Sequence, residues 1–228
     1  MKQCVINVGM GGWFPTGTQR LKESFVEYGY TGDFLTWIDK DGWPQGLSHA
    51  DCPYGFKAMA FMEARNMGYT HILWCDSSIW AMRSVVPLFD YIDHHGYLLW
   101  NSGWNCGEWC KDDALEPLGV IRDELFHMRQ IQASVLGLNF RHQVANEFLS
   151  NWVDFAKDGV TFPGPWTNDN NEASTDPRVR GHRHDQLAAS VIAHRLNMGM
   201  VDSPKFFIYW QEPPYDDETI LLSRGGAF

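Results

Sequence analysis

One aspartate follows a short apolar run in the sequence and could act on a polar ligand. Asp76 comes directly after residues 71–75 (HILWC), a run that is typical of a strand buried inside a sheet. We therefore expect its carboxylate at the mouth of that strand, where it could ligate a divalent cation. The alternative is that Asp76 only caps the turn after the strand.

A second group of polar side chains stands at the predicted start of an amphipathic helix. The run HRHDQ over residues 182–186 contains Asp185, and a carboxylate there is favoured by the helix dipole by roughly 0.3 to 1 kcal/mol. That effect alone would explain a helix cap. Two histidines, an arginine and an amide around the carboxylate are more than a cap requires. His182 or His184 could complete a metal site with Asp76.

Glycines and two cations lie near the predicted ends of the first elements. Gly9, Gly11 and Gly12 follow the first predicted strand, where glycines let a backbone approach a ligand closely. Arg20 lies in the first predicted helix and Lys57 lies early in the second. Either cation could offset the negative charge of a bound phosphate. The alternative for both is a solvated surface side chain.

Tryptophan is abundant, with eleven in 228 residues. Trp104 and Trp109 fall in a stretch rich in glycine and tryptophan after the fourth predicted strand. Sugar faces and nucleobases both stack on indole rings. Most buried tryptophans only fill a core, but this pair is the best candidate for stacking on such a ligand.

The elements that would position these side chains alternate between strand and helix through the first half of the chain. Such alternation predicts a parallel sheet with helices on both faces, and ligands bind at the carboxyl ends of its strands. The glycines after the first strand should therefore lie close to Asp76. The predicted strands cover 4–8, 33–38, 71–75, 97–100, 130–138 and 206–210. The predicted helices begin at Thr16 or Thr18, at 54, at Ser84, near 114, near 144 and at 184.

Composition limits the class of protein. The chain has 228 residues, 44% of them hydrophobic, so we expect one domain over 1–210 and an acidic arm over 211–228. A net charge of −10 argues against a basic nucleic-acid groove over much of the surface. The five cysteines are expected to be reduced thiols. No apolar run reaches the roughly 20 residues that cross a bilayer, and the start leads directly into a strand, so we expect a cytoplasmic protein.

The motifs, taken in order, resemble those of GT-A-type glycosyltransferases, the nucleotide-diphospho-sugar transferases. The glycine loop, the Phe56-Lys57 pair, the Asp-x-Ser turn at Asp76 and the His-Asp-Gln run carry this resemblance over residues 3–210. It implies a single GT-A-like, Rossmann-like α/β domain with a mostly parallel central sheet flanked by helices. The chain departs from the family at Ser78, where a second carboxylate usually stands.

The resemblance also implies the substrates. The donor would be a nucleotide-diphosphate sugar, commonly a UDP- or GDP-sugar, and a hexose or pentose would pass to a hydroxyl acceptor. Mn²⁺ or Mg²⁺ would bridge the two phosphates, held by Asp76 with His182 and His184. The donor would be bound by Gly9, Gly11, Gly12, Arg20, Lys57, Asp76 and Ser78.

The catalytic roles would fall to Asp185 and Gln186. If the reaction inverts the anomeric configuration, Asp185 would remove the proton of the acceptor hydroxyl. If it retains the configuration, Asp185 or Gln186 would stabilise an oxocarbenium-like transition state. Trp104 and Trp109 would contact the acceptor.

Other functions and several acceptors stay open at this point. A sugar nucleotidyltransferase shares the sheet but usually has a basic first loop, and the nearest base after Gly12 is Arg20. A non-catalytic nucleotide- or sugar-binding module is consistent with Ser78. The acceptor could be a small molecule, a glycan, a protein or hydroxymethylated bases of viral DNA, with no membrane partner. Phosphates could contact a local patch of Arg178, Arg180, Arg183 and Arg195.

Overall fold

The strands and helices of the protein are seen in a computed structural model that describes residues 2–203, 205–211 and 215–226. The strands are β1 (Gln3–Gly9), β2 (Asp33–Ile38), β3 (His71–Cys75), β4 (Ile79–Ala81), β5 (Tyr97–Leu98), β6 (Asn101–Asn105), β7 (Arg129–Ile131), β8 (Val135–Asn139), β9 (Phe206–Tyr209) and β10 (Thr219–Ser223). The α-helices are α1 (Phe14–Glu27), α2 (Phe56–Asn66), α3 (Val86–His95), α4 (Leu115–Leu118), α5 (Arg122–Leu125), α6 (Gln143–Lys157) and α7 (His184–Arg195).

A five-stranded sheet in the order β2-β1-β3-β8-β5 forms the centre of the fold. β1 pairs in parallel with β2 and β3, whereas β8 pairs antiparallel with β3 and β5. Four strands therefore run in one direction and β8 runs in the other. This confirms the predicted α/β fold with a mostly parallel central sheet flanked by helices. The single strand predicted over 130–138 is wrong, because a turn at 132–134 divides it into β7 and β8.

Helices cover both faces of this sheet, which explains why its central strands are continuous apolar runs. One core cluster contains Phe61 of α2 and Trp152 of α6, whose ring centroids are 6.1 Å apart. The other contains Leu21 and Phe25 of α1 with Phe89 of α3. All five side chains are buried, and burying one such side chain contributes about 1.5 to 3 kcal/mol. The two helix layers thus hold the sheet whose carboxyl edge carries the candidate site.

Helix α1 begins without the threonine cap that the sequence predicts. Trp13 occupies the capping position with no side-chain cap, and Pro15 lies in the first turn. Thr18 is instead buried, where its hydroxyl donates to Oδ1 of Asn7 over 2.5 Å and lies 3.2 Å from Oγ of Ser77. This hydrogen-bond network joins β1, α1 and the turn after β3, so Thr18 helps to position that turn.

The acidic arm predicted over 211–228 is wrong for residues 219–223, which form the buried strand β10. β10 pairs in parallel with β9 and antiparallel with β4. Ile220 and Leu221 are buried in the same core cluster as Phe207, so apolar burial outweighs the acidic character of the residues before them. This pairing places Ser223 beside the turn after β3.

None of the described helices is long and apolar enough to cross a membrane. The longest of them, α6, has 15 residues, against the roughly 20 that a bilayer requires.

Candidate active site

The ammonium group of Lys57 lies between two carboxylates that are far apart in sequence. Its Nζ is 3.2 Å from Oδ1 of Asp76 and 3.4 Å from Oδ2 of Asp185. It also donates to the carbonyl oxygen of Ala133 over 2.9 Å. Lys57 is only 4% exposed, so the alternative of a solvated surface lysine is wrong. The fold therefore brings one cation of α2 together with anions at the end of β3 and the start of α7.

The charge of Lys57 depends on these partners. Burial by itself lowers the pKa of Lys57, because the charged form loses water. The carboxylates of Asp185 and Asp76 outweigh burial and raise the pKa above its ordinary value. The rings of Tyr54 and Trp74 add cation–π attraction, each with its centroid 5.3 Å from Nζ. The side chain is therefore an ammonium ion at neutral pH.

Asp76 stands at the mouth of a buried strand, where the sequence predicts it. The indole Nε1–H of Trp74 donates to its Oδ1 over 2.7 Å, and Lys57 approaches the same oxygen. The backbone N–H of Asp76 donates to the carbonyl oxygen of Ser134 over 2.8 Å. Since the carboxylate bonds to side chains of β3 and α2, it does more than cap the following turn.

Asp185 is almost completely buried in the first turn of α7, with 4% of its surface exposed. Burial raises the pKa of its carboxyl group to about 6, while Lys57 acts to lower it and Asp76 to raise it. The Nε1–H of Trp152 donates to the Asp185 carbonyl oxygen over 3.1 Å and fixes this end of the helix. A carboxylate with a pKa near neutrality is suited to accept a proton at physiological pH.

The side chain of Gln186 holds the turn at 132–134. Its Nε2 donates to Oε1 of Gln130 over 2.8 Å, and its Oε1 accepts from the N–H of Ala133 over 3.4 Å. Ala133 in turn accepts from Lys57. Gln186 thus contributes to the site by positioning this turn, and a direct part in catalysis stays a prediction.

His182 and His184, predicted to bind a metal, bond to the backbone instead. Nε2 of His182 faces the carbonyl oxygen of Thr161 at 2.9 Å and so donates, while Nδ1 accepts from the N–H of Lys111 over 3.4 Å. Nδ1 of His184 donates to the carbonyl oxygen of Phe162 over 2.9 Å. Burial lowers the pKa of His182 to about 3 and that of His184 to about 4. Both imidazoles are therefore neutral, and His182 has no ring nitrogen left for a metal.

The described part of the structure does not bring Asp76, His182 and His184 together as a group that could hold a metal ion. Among the described residues, no three His, Cys, Asp or Glu side chains gather in a way that could hold a metal ion. Oδ1 of Asp76 already accepts from Trp74 and pairs with Lys57. The residues present therefore do not fit the Mn²⁺ or Mg²⁺ site that the resemblance implies, and the reaction proposed below has no step through a metal.

Two clefts meet at Lys57, Asp76 and Ser78, and we call the first the aromatic cleft. It has a volume of about 650 Å³ and opens near the carboxyl ends of β1 and β3, where ligands bind in parallel sheets. Its walls include Met10, Trp13, Trp43, His49, Tyr54 and Phe56.

The glycines after β1 serve the local backbone. A Cβ atom on Gly9 would lie 2.1 Å from Oγ1 of Thr18, so this glycine lets α1 pack against β1. Gly11 and Gly12 have φ angles of 70° and 52°, which other residues adopt only with strain. The N–H of Gly11 donates to Oδ1 of Asp39 over 2.9 Å. Their contact with a donor substrate stays a prediction.

Arg20 and Ser78 both contact the turn after β3. Nη2 of Arg20 donates to the carbonyl oxygen of Ser77 over 3.2 Å, and its guanidinium lies 4.8 Å from the ring of Trp80. Oγ of Ser78 is 3.2 Å from Oγ of Ser223, and Ser78 lines both clefts. Ser78 therefore lies where a ligand could contact it. Arg20 instead stabilises the turn, because its side chain donates to a backbone carbonyl oxygen of that turn.

The second cleft, the tryptophan cleft, has a volume of about 490 Å³ and exposed aromatic side chains at its rim. Trp104 and Trp166 are 42% and 48% exposed, and Tyr209 also lines this cleft. Of the predicted acceptor pair, only Trp104 lines the cleft. Trp109 is buried, and its ring centroid is 4.8 Å from that of Trp104. Sequence reasoning missed Trp166, since it stands in a polar loop without periodicity.

Comparison with known proteins supports the same fold. No protein-family model matches the chain, and no curated protein matches it in sequence. The apo structure of WbbM, a bifunctional glycosyltransferase, matches with a TM-score of 0.56 and 9% identity over 98% of this chain and 45% of WbbM. A glycosyltransferase involved in the glycosylation of the major capsid of PBCV-1 matches with a TM-score of 0.53 and 13% identity over 99% of this chain and 94% of its own.

A third solved structure, mouse xyloside xylosyltransferase 1 in its apo form, matches with a TM-score of 0.54 and 9% identity over 98% of both chains. The protein therefore spans less than half of WbbM but nearly the whole of the other two. At these identities the likeness concerns the fold. It shows the fold of these solved glycosyltransferases, in agreement with the GT-A-like fold that the order of the sequence motifs predicted.

Proposed function

We propose that this protein is a glycosyltransferase that moves a sugar from a nucleotide-diphosphate sugar to a hydroxyl group of an acceptor. The observation that carries the proposal is the meeting of Lys57, Asp76 and Asp185 where the aromatic cleft joins the tryptophan cleft. One cleft has room for the donor nucleotide and the other has room for the acceptor. The fold shared with solved glycosyltransferases supports the same class of enzyme.

The aromatic cleft supports a nucleoside in the donor. Stacking of one base on an aromatic side chain contributes about 1 to 3 kcal/mol, and Trp13, Trp43 and Phe56 offer such rings here. Lys57 lines the same cleft where it meets Asp76. Its ammonium would offset the negative charge that develops on the nucleotide diphosphate as the bond to the sugar breaks.

The general base in this proposal is Asp185. In this proposal its carboxylate removes the proton of the acceptor hydroxyl while that oxygen attacks the anomeric carbon. The bond from that carbon to the diphosphate oxygen breaks in the same step, so the configuration inverts. Burial gives the carboxyl a pKa of about 6, and the neighbouring Lys57 favours its ionised form.

The rim of the tryptophan cleft supports an acceptor that presents a sugar ring. Apolar faces of sugars pack on indole rings. The indole rings of Trp104 and Trp166 are both exposed at this cleft. Exposed apolar side chains grouped at one cleft are typical of a ligand site. Ser102, Gln132 and Ser134 of the same cleft supply polar groups for sugar hydroxyls.

Nucleic acid is a weaker candidate for the acceptor. Of the four arginines predicted as a phosphate patch, Arg178 pairs with two aspartates and Arg180 pairs with a glutamate. Arg195 donates to backbone carbonyl oxygens. Arg178 and Arg180 are therefore already neutralised by acidic side chains. The net charge of −10 adds repulsion from the rest of the surface.

The test begins with a thermal-shift screen of UDP- and GDP-linked sugars, followed by turnover of those that raise the melting temperature. Asp185→Asn should lower transfer by about 10²- to 10⁴-fold, the contribution of a general base, with donor binding close to wild type. Asp154→Asn changes an exposed carboxylate of α6 and is the matched control, expected to keep full activity.

Four results would contradict the proposal or a part of it. Binding of a sugar nucleotide without any turnover would indicate a binding module. Formation of a sugar nucleotide from a nucleoside triphosphate and a sugar 1-phosphate, with release of pyrophosphate, would indicate a nucleotidyltransferase. If Asp76→Ala leaves donor binding and turnover intact, the junction of the clefts is not the donor site. Retention at the anomeric carbon, read from the product by NMR, would remove the base role of Asp185.

A further inference from the structure

We propose that the acceptor carries an anionic group, a carboxylate or a phosphate, which Arg183 binds at the mouth of the tryptophan cleft. This inference rests on the proposed function, because it names the chemical class of that function's acceptor. Three observations support it. Indole rings hold the guanidinium of Arg183, no acidic side chain among the described residues pairs with it, and it lines the same cleft as Asp185.

The guanidinium group of Arg183 is held between indole rings. Its Cζ is 3.7 Å from the ring centroid of Trp109 and 4.6 Å from that of Trp166. Its Nη1 donates to the carbonyl oxygen of Trp166 over 2.8 Å. Stacking and this hydrogen bond fix the planar group at the wall of the cleft that it lines. A fixed guanidinium matches the geometry of carboxylate and phosphate oxygens.

Arg183 has no acidic partner among the residues that the structure describes. By contrast, Arg122, Arg129, Arg178 and Arg180 each pair with a carboxylate. Acidic groups are plentiful in a chain with a net charge of −10. A half-buried arginine that lacks one, and that faces a cleft, is therefore best explained by an anion that arrives with the ligand.

The position of Arg183 matches the reaction proposed above. It precedes Asp185 by two residues, and both side chains line the tryptophan cleft. A ring that packs on Trp166 could present one hydroxyl to Asp185 and a charged substituent to Arg183. A hexuronic acid or a sugar phosphate has both features, whereas a neutral hexose has only the first.

The test compares matched acceptors in the presence of the donor that turns over. Neutral hexoses are compared with two anionic series. These are the corresponding hexuronic acids, in which C6 is a carboxylate, and the corresponding hexose 6-phosphates, in which C6 carries a phosphate. At least one anionic series should show a KM about 10-fold or more below the neutral series, because hydrogen bonds between charged groups are among the stronger ones. The two anionic arms separate a carboxylate from a phosphate.

Substitutions of Arg183 test whether this residue causes the preference for an anionic acceptor. Arg183→Gln should abolish the preference for the anionic acceptor and leave the dissociation constant of the donor unchanged, while Arg183→Lys should keep part of it. Arg180→Gln removes an exposed arginine that pairs with Glu108 outside the cleft, so this control should behave as wild type. Quenching of tryptophan fluorescence by glucuronate and by inorganic phosphate gives a second measurement that needs no turnover.

Two outcomes would overturn the inference. One is an absence of both acceptor preference and Arg183-dependent quenching, and the other is a loss of donor binding in Arg183→Gln, which would assign the arginine to the donor. In either case continued turnover of the donor leaves the proposed glycosyl transfer standing. Absence of turnover with every sugar nucleotide is the separate failure of the proposed function.

Discussion

The indole Nε1–H of Trp74 donates to Oδ1 of Asp76 over 2.7 Å, so a buried residue of β3 orients the carboxylate at the end of its own strand. Residues two apart on a strand share one face, which makes this contact local. Trp74 is buried and its ring lies 6.1 Å from that of Phe56. The core therefore positions Asp76 directly.

Replacing Trp74 by Phe keeps an aromatic ring and removes the donor. We expect kcat to fall by about 10- to 100-fold, since a hydrogen bond to a charged group contributes about 1.5 to 3 kcal/mol. The control is Trp100→Phe, because the Nε1–H of Trp100 donates to the carbonyl oxygen of Lys205 over 2.9 Å, outside the site. Equal losses of kcat in both variants would mean that general destabilisation, and not orientation of Asp76, is responsible.

The raised pKa of Asp185, about 6, predicts how turnover depends on pH. A general base acts when ionised, so kcat/KM should rise as pH increases through about 6 and be constant above it. Lys57→Met removes a charge that lowers this pKa, so the inflection should move to higher pH. Asp76→Asn removes a charge that raises it, so the inflection should move to lower pH. A wild-type profile that is flat from about pH 5 to 7 would contradict the assignment of the base.

The neutral histidines predict a loss of stability in acid. The pKa values of His182 and His184, about 3 and about 4, lie below that of an unfolded histidine, so the unfolded state binds protons first as pH falls. Each imidazole should lower the free energy of unfolding by about 1.4 kcal/mol per pH unit below about 6.5, until its folded pKa is reached. Urea unfolding at several pH values measures this slope. The slope should be smaller in His182→Asn than in wild type. It should be unchanged in His127→Asn, which replaces an exposed histidine and serves as the control. Equal slopes in wild type and both variants would refute the prediction.

The backbone bonds of His182 and His184 also bear on divalent cations. Because these nitrogens bond to carbonyl oxygens, substitution of either histidine by Gln should leave the response of turnover to added Mn²⁺ the same as in wild type. The measurement is turnover against Mn²⁺ concentration from an EDTA-treated baseline. A response lost in either variant would restore the metal site that the sequence predicts.

Gly17 marks a close contact between α1 and the turn after β3. A Cβ atom there would lie 2.3 Å from the carbonyl oxygen of Ser77. Alanine is the better helix former, yet we expect Gly17→Ala to lower the free energy of unfolding by about 1 to 3 kcal/mol through overpacking. Gly225→Ala, with no atom within 4 Å of its new Cβ, should change it little. A stabilised Gly17→Ala would show that the contact is absent.

Local patterns in the sequence were enough to predict the central strand, the place of Asp76 at its end and the start of α7 beside Asp185. These features depend on residues a few positions apart, so an apolar run and its polar flank determine them. The order of such motifs also predicted the GT-A-like fold. The same reasoning failed for residues 219–223, because an acidic flank concealed a short apolar strand that pairs with distant strands.

Only the tertiary structure decided which of these residues meet. Lys57, Asp76 and Asp185 belong to separate elements, and their distances follow from how α2 and α7 pack on the sheet. Two features depend on long-range contacts: the histidines bond to the backbone, and Trp166 lies at the rim of a cleft. A pattern of residue types shows which side chains can do chemistry. Packing across the chain determines which of them share a site, because such contacts join residues that no local spacing relates.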